Sequence, residues 1–160
     1  MNIDKQEILT LIIDRLRADL KVCEQAVAVA RDTATHKDAQ GSSRYETMGL
    51  EASYLAQGQG VRLLEVERAL AWFSQQKLTE PGGIIRLCSL VSLLDEQGHE
   101  QLVWLAADAG GMKIEYGEHS ITVITSKSPL GKALVGKHAG DSFEISIAGK
   151  QRCYEIGEAW

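Results

Sequence analysis

Residues 121–149, ITVITSKSPLGKALVGKHAGDSFEISIAG, carry the pattern on which the reading of this chain turns. Ile121, Val123 and Thr125 alternate as a half-buried strand does. Ser128-Pro129 then breaks the alternation, and a short helical run over 130–135 ends at Gly136. Proline has a preset φ and no N–H to lose, so it suits a helix start. Gly140-Asp141 is a turn pair, and alternation resumes at Phe143. The pattern predicts a strand, one short helix and a second strand.

Working outward, period-two runs recur over 84–94, 100–107, 119–125, 143–148 and 153–157. Turn residues separate them: Asp95-Glu96-Gln97-Gly98, Gly110-Gly111 and Ala148-Gly149-Lys150. The expected fold of 84–160 is an antiparallel sheet clasping one helix, and the class of the whole chain is α+β.

Upstream of Glu80-Pro81-Gly82-Gly83 the period changes. Between Ile3 and Phe73 there is no proline, and Leu9, Ile12, Leu16, Leu20, Cys23, Val27, Ala30 and Ala34 step by threes and fours. A second stripe of Leu50, Tyr54, Val61 and Leu64 has a companion row of Leu63, Val66, Leu70 and Phe73. Two long helices, each with a narrow apolar face, cover each other most simply as an antiparallel coiled-coil hairpin. At ~1.5 Å per residue, about 30 residues make a rod of roughly 45 Å. The expected organisation is a hairpin over 1–78 with its tip near 36–45, a linker over 79–83 and a sheet domain over 84–160. Gly49, Gly58 and Gly60 each weaken the second helix by up to ~1 kcal/mol relative to alanine, so a bend or a close helix–helix approach is expected at Gly58.

Composition excludes several classes. The net charge of −5 divides evenly between the halves, so neither is a basic footprint for sequence-specific duplex binding. No apolar run approaches ~18 residues and the N-terminus has no cleavage signature, which argues against membrane and secretion. Cys23, Cys88 and Cys153 are odd in number and far apart, as expected of reduced cytoplasmic thiols.

The run Ser128-Pro129-Leu130-Gly131-Lys132-Ala133-Leu134-Val135-Gly136-Lys137 resembles the C-terminal domain of the bacterial Gre transcript-cleavage factors, which has the fold of FK506-binding proteins. The order hairpin, linker, sheet domain is similar to the Gre layout across essentially the whole chain. Tyr45-Glu46-Thr47-Met48-Gly49-Leu50-Glu51-Ala52-Ser53-Tyr54-Leu55-Ala56 looks like a Gre-like subfamily distinct from the main cleavage factors. The resemblance implies a cytoplasmic factor that is not itself an enzyme and has no cofactor of its own. Its sheet domain would dock on bacterial RNA polymerase at the mouth of the secondary channel through Ser128, Pro129, Leu130, Gly131, Lys132 and Lys137. The same residues also have a plain structural reading, in which Pro129 and Gly131 build a turn and Leu130 and Leu134 fill the core.

The resemblance further implies that tip acids help hold a second magnesium ion and a water, so that the polymerase hydrolyses its own backtracked RNA. Two-metal phosphodiester cleavage needs carboxylate oxygens for that ion. With Tyr45 taken as the aromatic that follows the tip, Asp38 falls on the first tip acid and is the candidate catalytic and magnesium-holding residue. The second acidic position falls on Gly41 and the next on Arg44. A different register would place Glu46 at the tip. In the plain reading Asp38 is a solvated turn residue, and Glu46 and Glu51 lie on a helix surface.

The other candidates are set aside. His36 has no further ligands in range, and Ser42 and Ser43 lack a base partner. An isomerase pocket would need more aromatics than Trp104, Tyr116, Phe143, Tyr154 and Trp160 supply. The expected function is a polymerase-binding elongation factor that modulates backtracked or paused complexes, touches nascent RNA indirectly, and stimulates cleavage weakly or not at all. The alternatives are a non-catalytic competitor for the secondary channel and, more remotely, a stand-alone prolyl isomerase or chaperone.

Overall fold

The computed structural model describes residues 2–35, 43–80 and 82–160, with the side chains of 33–35 and 43–56 left out. Its elements run α1 (Lys5–Thr35), α2 (Ser43–Ser74), β1 (Leu90–Asp95), β2 (Glu100–Ala106), β3 (Lys113–Tyr116), β4 (His119–Thr125), α3 (Pro129–Leu134), β5 (Ser142–Ile147) and β6 (Lys150–Ala159). They form two compact units: Ile13–Ala71, and Met1–Ile12 together with Trp72–Trp160. The two ends of the helical segment therefore belong with the sheet.

In the helical unit, Leu16, Cys23, Val27 and Ala30 of α1 are buried, as their spacing predicts. On α2 the buried positions are Val66 and Ala69 of the companion row's face, and Phe73 continues that row into the sheet unit. The predicted first stripe fails where it can be seen: Val61 is 58% and Leu64 65% exposed. At about 100° per residue, Val61 and Leu64 lie some 140–160° around the helix from Val66. A single partner helix covers one arc, so both rows cannot be buried. The close approach expected at Gly58 is absent as well, since a Cβ at Gly58 or Gly60 would meet nothing within 4 Å. These two glycines therefore weaken α2 without a packing return. Gly58→Ala and Gly60→Ala should each stabilise the hairpin by up to ~1 kcal/mol, read as higher midpoints in urea. A destabilisation would show a close contact at these positions.

In the sheet unit, Asp4 caps α1 by accepting from the N–H groups of Gln6 and Glu7 at 2.9 and 3.2 Å. The Asp4 N–H donates to the Tyr116 hydroxyl at 3.1 Å, tying the helix start to β3. The strand order is β3-β4-β2-β1-β6-β5. Every neighbouring pair is antiparallel except β2 and β4, which run parallel in the register Leu102↔Ile121 to Ala106↔Thr125. The sheet is thus mixed, where the sequence predicts a wholly antiparallel one. The cause is β3, a four-residue strand with one buried side chain, Ile114, too short for a periodic signal. It forms an antiparallel hairpin with β4 at the sheet edge, so β4 returns beside β2 in the same direction.

The strand predicted from residue 84 also starts late. Cys88 adopts φ 68, and the Ser89 N–H closes a turn onto the Arg86 carbonyl. A left-handed residue cannot continue a strand, so β1 opens only at Leu90. Residue alternation then builds two faces. Val91, Leu93, Val103, Leu105, Tyr154 and Ile156 pack with Ile85, Leu134, Phe143 and Ile145 in one core. Leu90, Leu102, Trp104 and Ala106 point to the other face, where the Lys5 ammonium sits 5.7 Å from the Trp104 ring centroid. Ile8, Leu9, Ile12 and Phe73 are buried in this same unit.

Candidate functional site

The 128–137 segment is assembled around the backbone of Thr125. The Ser128 hydroxyl donates to the Thr125 carbonyl at 2.7 Å and accepts from the Gly131 N–H at 3.1 Å, capping α3. Pro129 occupies the first turn, where no N–H is required. Gly131 is packed so tightly that an added Cβ would sit 1.9 Å from the Thr125 oxygen. Leu134 is fully buried, with Leu130 and Ala133 packed beside it. Gly136, at φ 84, ends the helix and donates to the Ile85 carbonyl at 2.9 Å, while the Ile85 N–H donates to the Lys137 carbonyl at 2.8 Å.

Of the six candidate docking residues, Ser128, Leu130 and Gly131 thus have interior roles. Pro129 and Lys132 are exposed, and Lys137 is half-buried. Two residues that the sequence did not single out belong to the same surface. Val135 and Ile84 flank the Ile85–Lys137 pairing and are 48% and 52% exposed. Both sit in runs with apolar neighbours, so only the turn at Gly136 and the late start of β1 bring them outward. Lys132, Val135 and Ile84 are all exposed here.

Asp38 and Gly41 lie outside the described residues, as does His36. Glu46 and Arg44 lie on the backbone of α2, with their side chains outside the description. Among the described residues no group of three or more His, Cys, Asp or Glu could hold a metal ion. Cys23, Cys88 and Cys153 are free thiols. The Cys153 thiol is pushed up to about 11 by hydrogen bonding to the carboxylates of Glu96 and Glu144, the latter 3.3 Å from its sulfur. It is therefore a poor nucleophile at neutral pH. No helix among the described residues is long and apolar enough to cross a membrane.

No protein-family model matches the chain. The transcription elongation factor GreA of Ruegeria pomeroyi is 31% identical over 132 residues, covering 82% of this chain and 77% of that protein. The GreA of Rhodospirillum rubrum is 30% identical over 150 residues, covering 89% and 88%. Among solved structures, GreA factor homolog 1 of Thermus thermophilus aligns over 96% of this chain and 93% of that one, at 21% identity and a TM-score of 0.39. Sequence identity at this level across both the helices and the sheet places the chain in the family of GreA transcription elongation factors.

Proposed function

We propose that this protein is a cytoplasmic elongation factor that binds bacterial RNA polymerase through its sheet unit and inserts the hairpin into the secondary channel. There it modulates paused or backtracked complexes and has no catalytic centre of its own. The observation that carries this reading is the identity with GreA factors over four-fifths or more of the chain. Pro129, Lys132 and Lys137, with Val135 and Ile84 beside them, are the residues assigned to docking.

The chemistry at the tip is limited by its donor set. Asp38 supplies one carboxylate, while Gly41 and Arg44 occupy the positions where the family pattern has further acids. A divalent ion shared with the polymerase needs oxygen ligands from several groups, and one acid with an arginine six residues on is a poor donor set for it. No step of this reading therefore passes through a metal held by this chain. The same departure favours a second reading, in which the hairpin acts by occupancy and competes with cleavage-competent factors.

The test is transcript cleavage in a stalled, backtracked complex. Wild type should stimulate cleavage weakly or not at all. Gly41→Glu with Arg44→Glu should raise it clearly, and adding Asp38→Ala should remove the gain, because two nearby carboxylates can share an ion that offsets their repulsion. If the double variant binds polymerase yet leaves cleavage unchanged, the tip is not a depleted catalytic site and occupancy is the better account.

A further inference from the structure

Beside the turn that precedes β1, a cleft of about 60 Å³ opens between Lys5, Gln76, Lys77, Glu80, Arg86 and Cys88. By the measure on which one water needs ~10–15 Å³, this holds a group of about four oxygen-sized atoms. Three of its side chains are cationic and one, Glu80, is acidic. Arg86 is held in place: its Nη2 donates to the Thr79 hydroxyl and, at 3.3 Å, to the Glu80 carbonyl. Lys5 lies against the Trp104 ring. Among the described residues neither cation forms an ion pair.

The two cations bear on each other electrostatically. Burial lowers the Lys5 pKa from its ordinary value; Cys88 opposes the shift and Arg86 adds to it. Burial likewise raises the Cys88 thiol. A desolvated cation beside a second, fixed cation is unfavourable until an anion joins them. The guanidinium fork is also suited to a tetrahedral oxyanion.

We propose that this cleft binds a phosphate group, free or carried by a nucleotide, between Lys5 and Arg86. The cleft borders the docking surface, since Ile84 also lines it, but it includes none of the candidate tip acids and does not depend on the function proposed above. The test uses the full chain, melted in rising inorganic phosphate and, in a parallel arm, in adenosine monophosphate, against sodium chloride at matched ionic strength. Wild type should gain thermal stability in a saturable way, with shifts at the Gly82, Gly83 and Cys88 amides in an NMR titration.

Lys5→Met keeps the aliphatic stem over Trp104, and Arg86→Gln changes an exposed side chain. Each should weaken binding at least ~10-fold, as expected when one charge-assisted contact is lost. Tighter binding of the nucleotide than of phosphate would identify a nucleotide site, and equal binding a free-anion site. Equal stabilisation of wild type and both variants, or amide shifts scattered over other surface lysines, would overturn the proposal. Should Lys5→Met fail to fold, Arg86→Gln decides alone: wild-type phosphate binding by that variant would overturn it too.

Discussion

Gly131→Ala should destabilise the sheet unit by more than ~3 kcal/mol, the largest single-methyl effect expected anywhere in the described chain. The added carbon would lie 1.9 Å from the Thr125 carbonyl oxygen and 2.8 Å from its carbon. Both are backbone atoms fixed at the end of β4, so no side chain can swing aside. The Thr125 oxygen also accepts from the Ser128 hydroxyl and N–H, and moving it would break the α3 cap and lift Leu134 from the core. Overpacking a well-packed site ordinarily costs ~1–3 kcal/mol, and here the backbone itself must shift. Equilibrium urea unfolding measures the loss. Lys132→Ala, one residue on and exposed, is the control and should lie within about 0.5 kcal/mol of wild type. A loss below ~1 kcal/mol for Gly131→Ala would mean that α3 can tilt away from β4.

Leu16→Asp should unfold the helical unit. Leu16 is only 2% exposed and continues into the buried row of Cys23, Val27 and Ala30. A carboxylate there would be buried in an apolar row, a loss of more than ~3 kcal/mol. Circular dichroism should show helix loss with the sheet largely retained. Val22→Asp, about 120° around the helix from Leu16 and 64% exposed, should leave the spectrum unchanged. Equal effects from the two substitutions would contradict the assignment of the buried face.

What was legible in the sequence follows from what is local. The Ser128-Pro129 start of α3, the strands on either side of it and the α1 stripe each rest on signals within a few residues. The α2 face was only half legible, because two apolar rows compete there and only the tertiary partner decides between them. β3 carries one buried residue, and without it the parallel pairing of β2 with β4 cannot be anticipated. The early residues of the predicted first strand are β-prone, yet Cys88 in the left-handed region overrides that tendency. The same distinction applies to function. The 128–137 segment was recognisable, but which of its residues face outward depends on Thr125 and Ile85. The cleft of Lys5 and Arg86 joins positions 81 residues apart in the chain and left no local signal.

The proposed function requires this chain to bind RNA polymerase through its sheet unit. Its most direct test is the affinity of the full-length protein for bacterial core polymerase, measured for wild type and for Lys132→Glu combined with Val135→Asp. Both substitutions alter exposed positions, so the variant should keep the wild-type unfolding midpoint. Wild type should form a one-to-one complex and the variant should bind at least ~10-fold more weakly, as loss of central contacts at a protein interface gives. Absence of a complex with wild type, or undiminished binding by the folded variant, would contradict it.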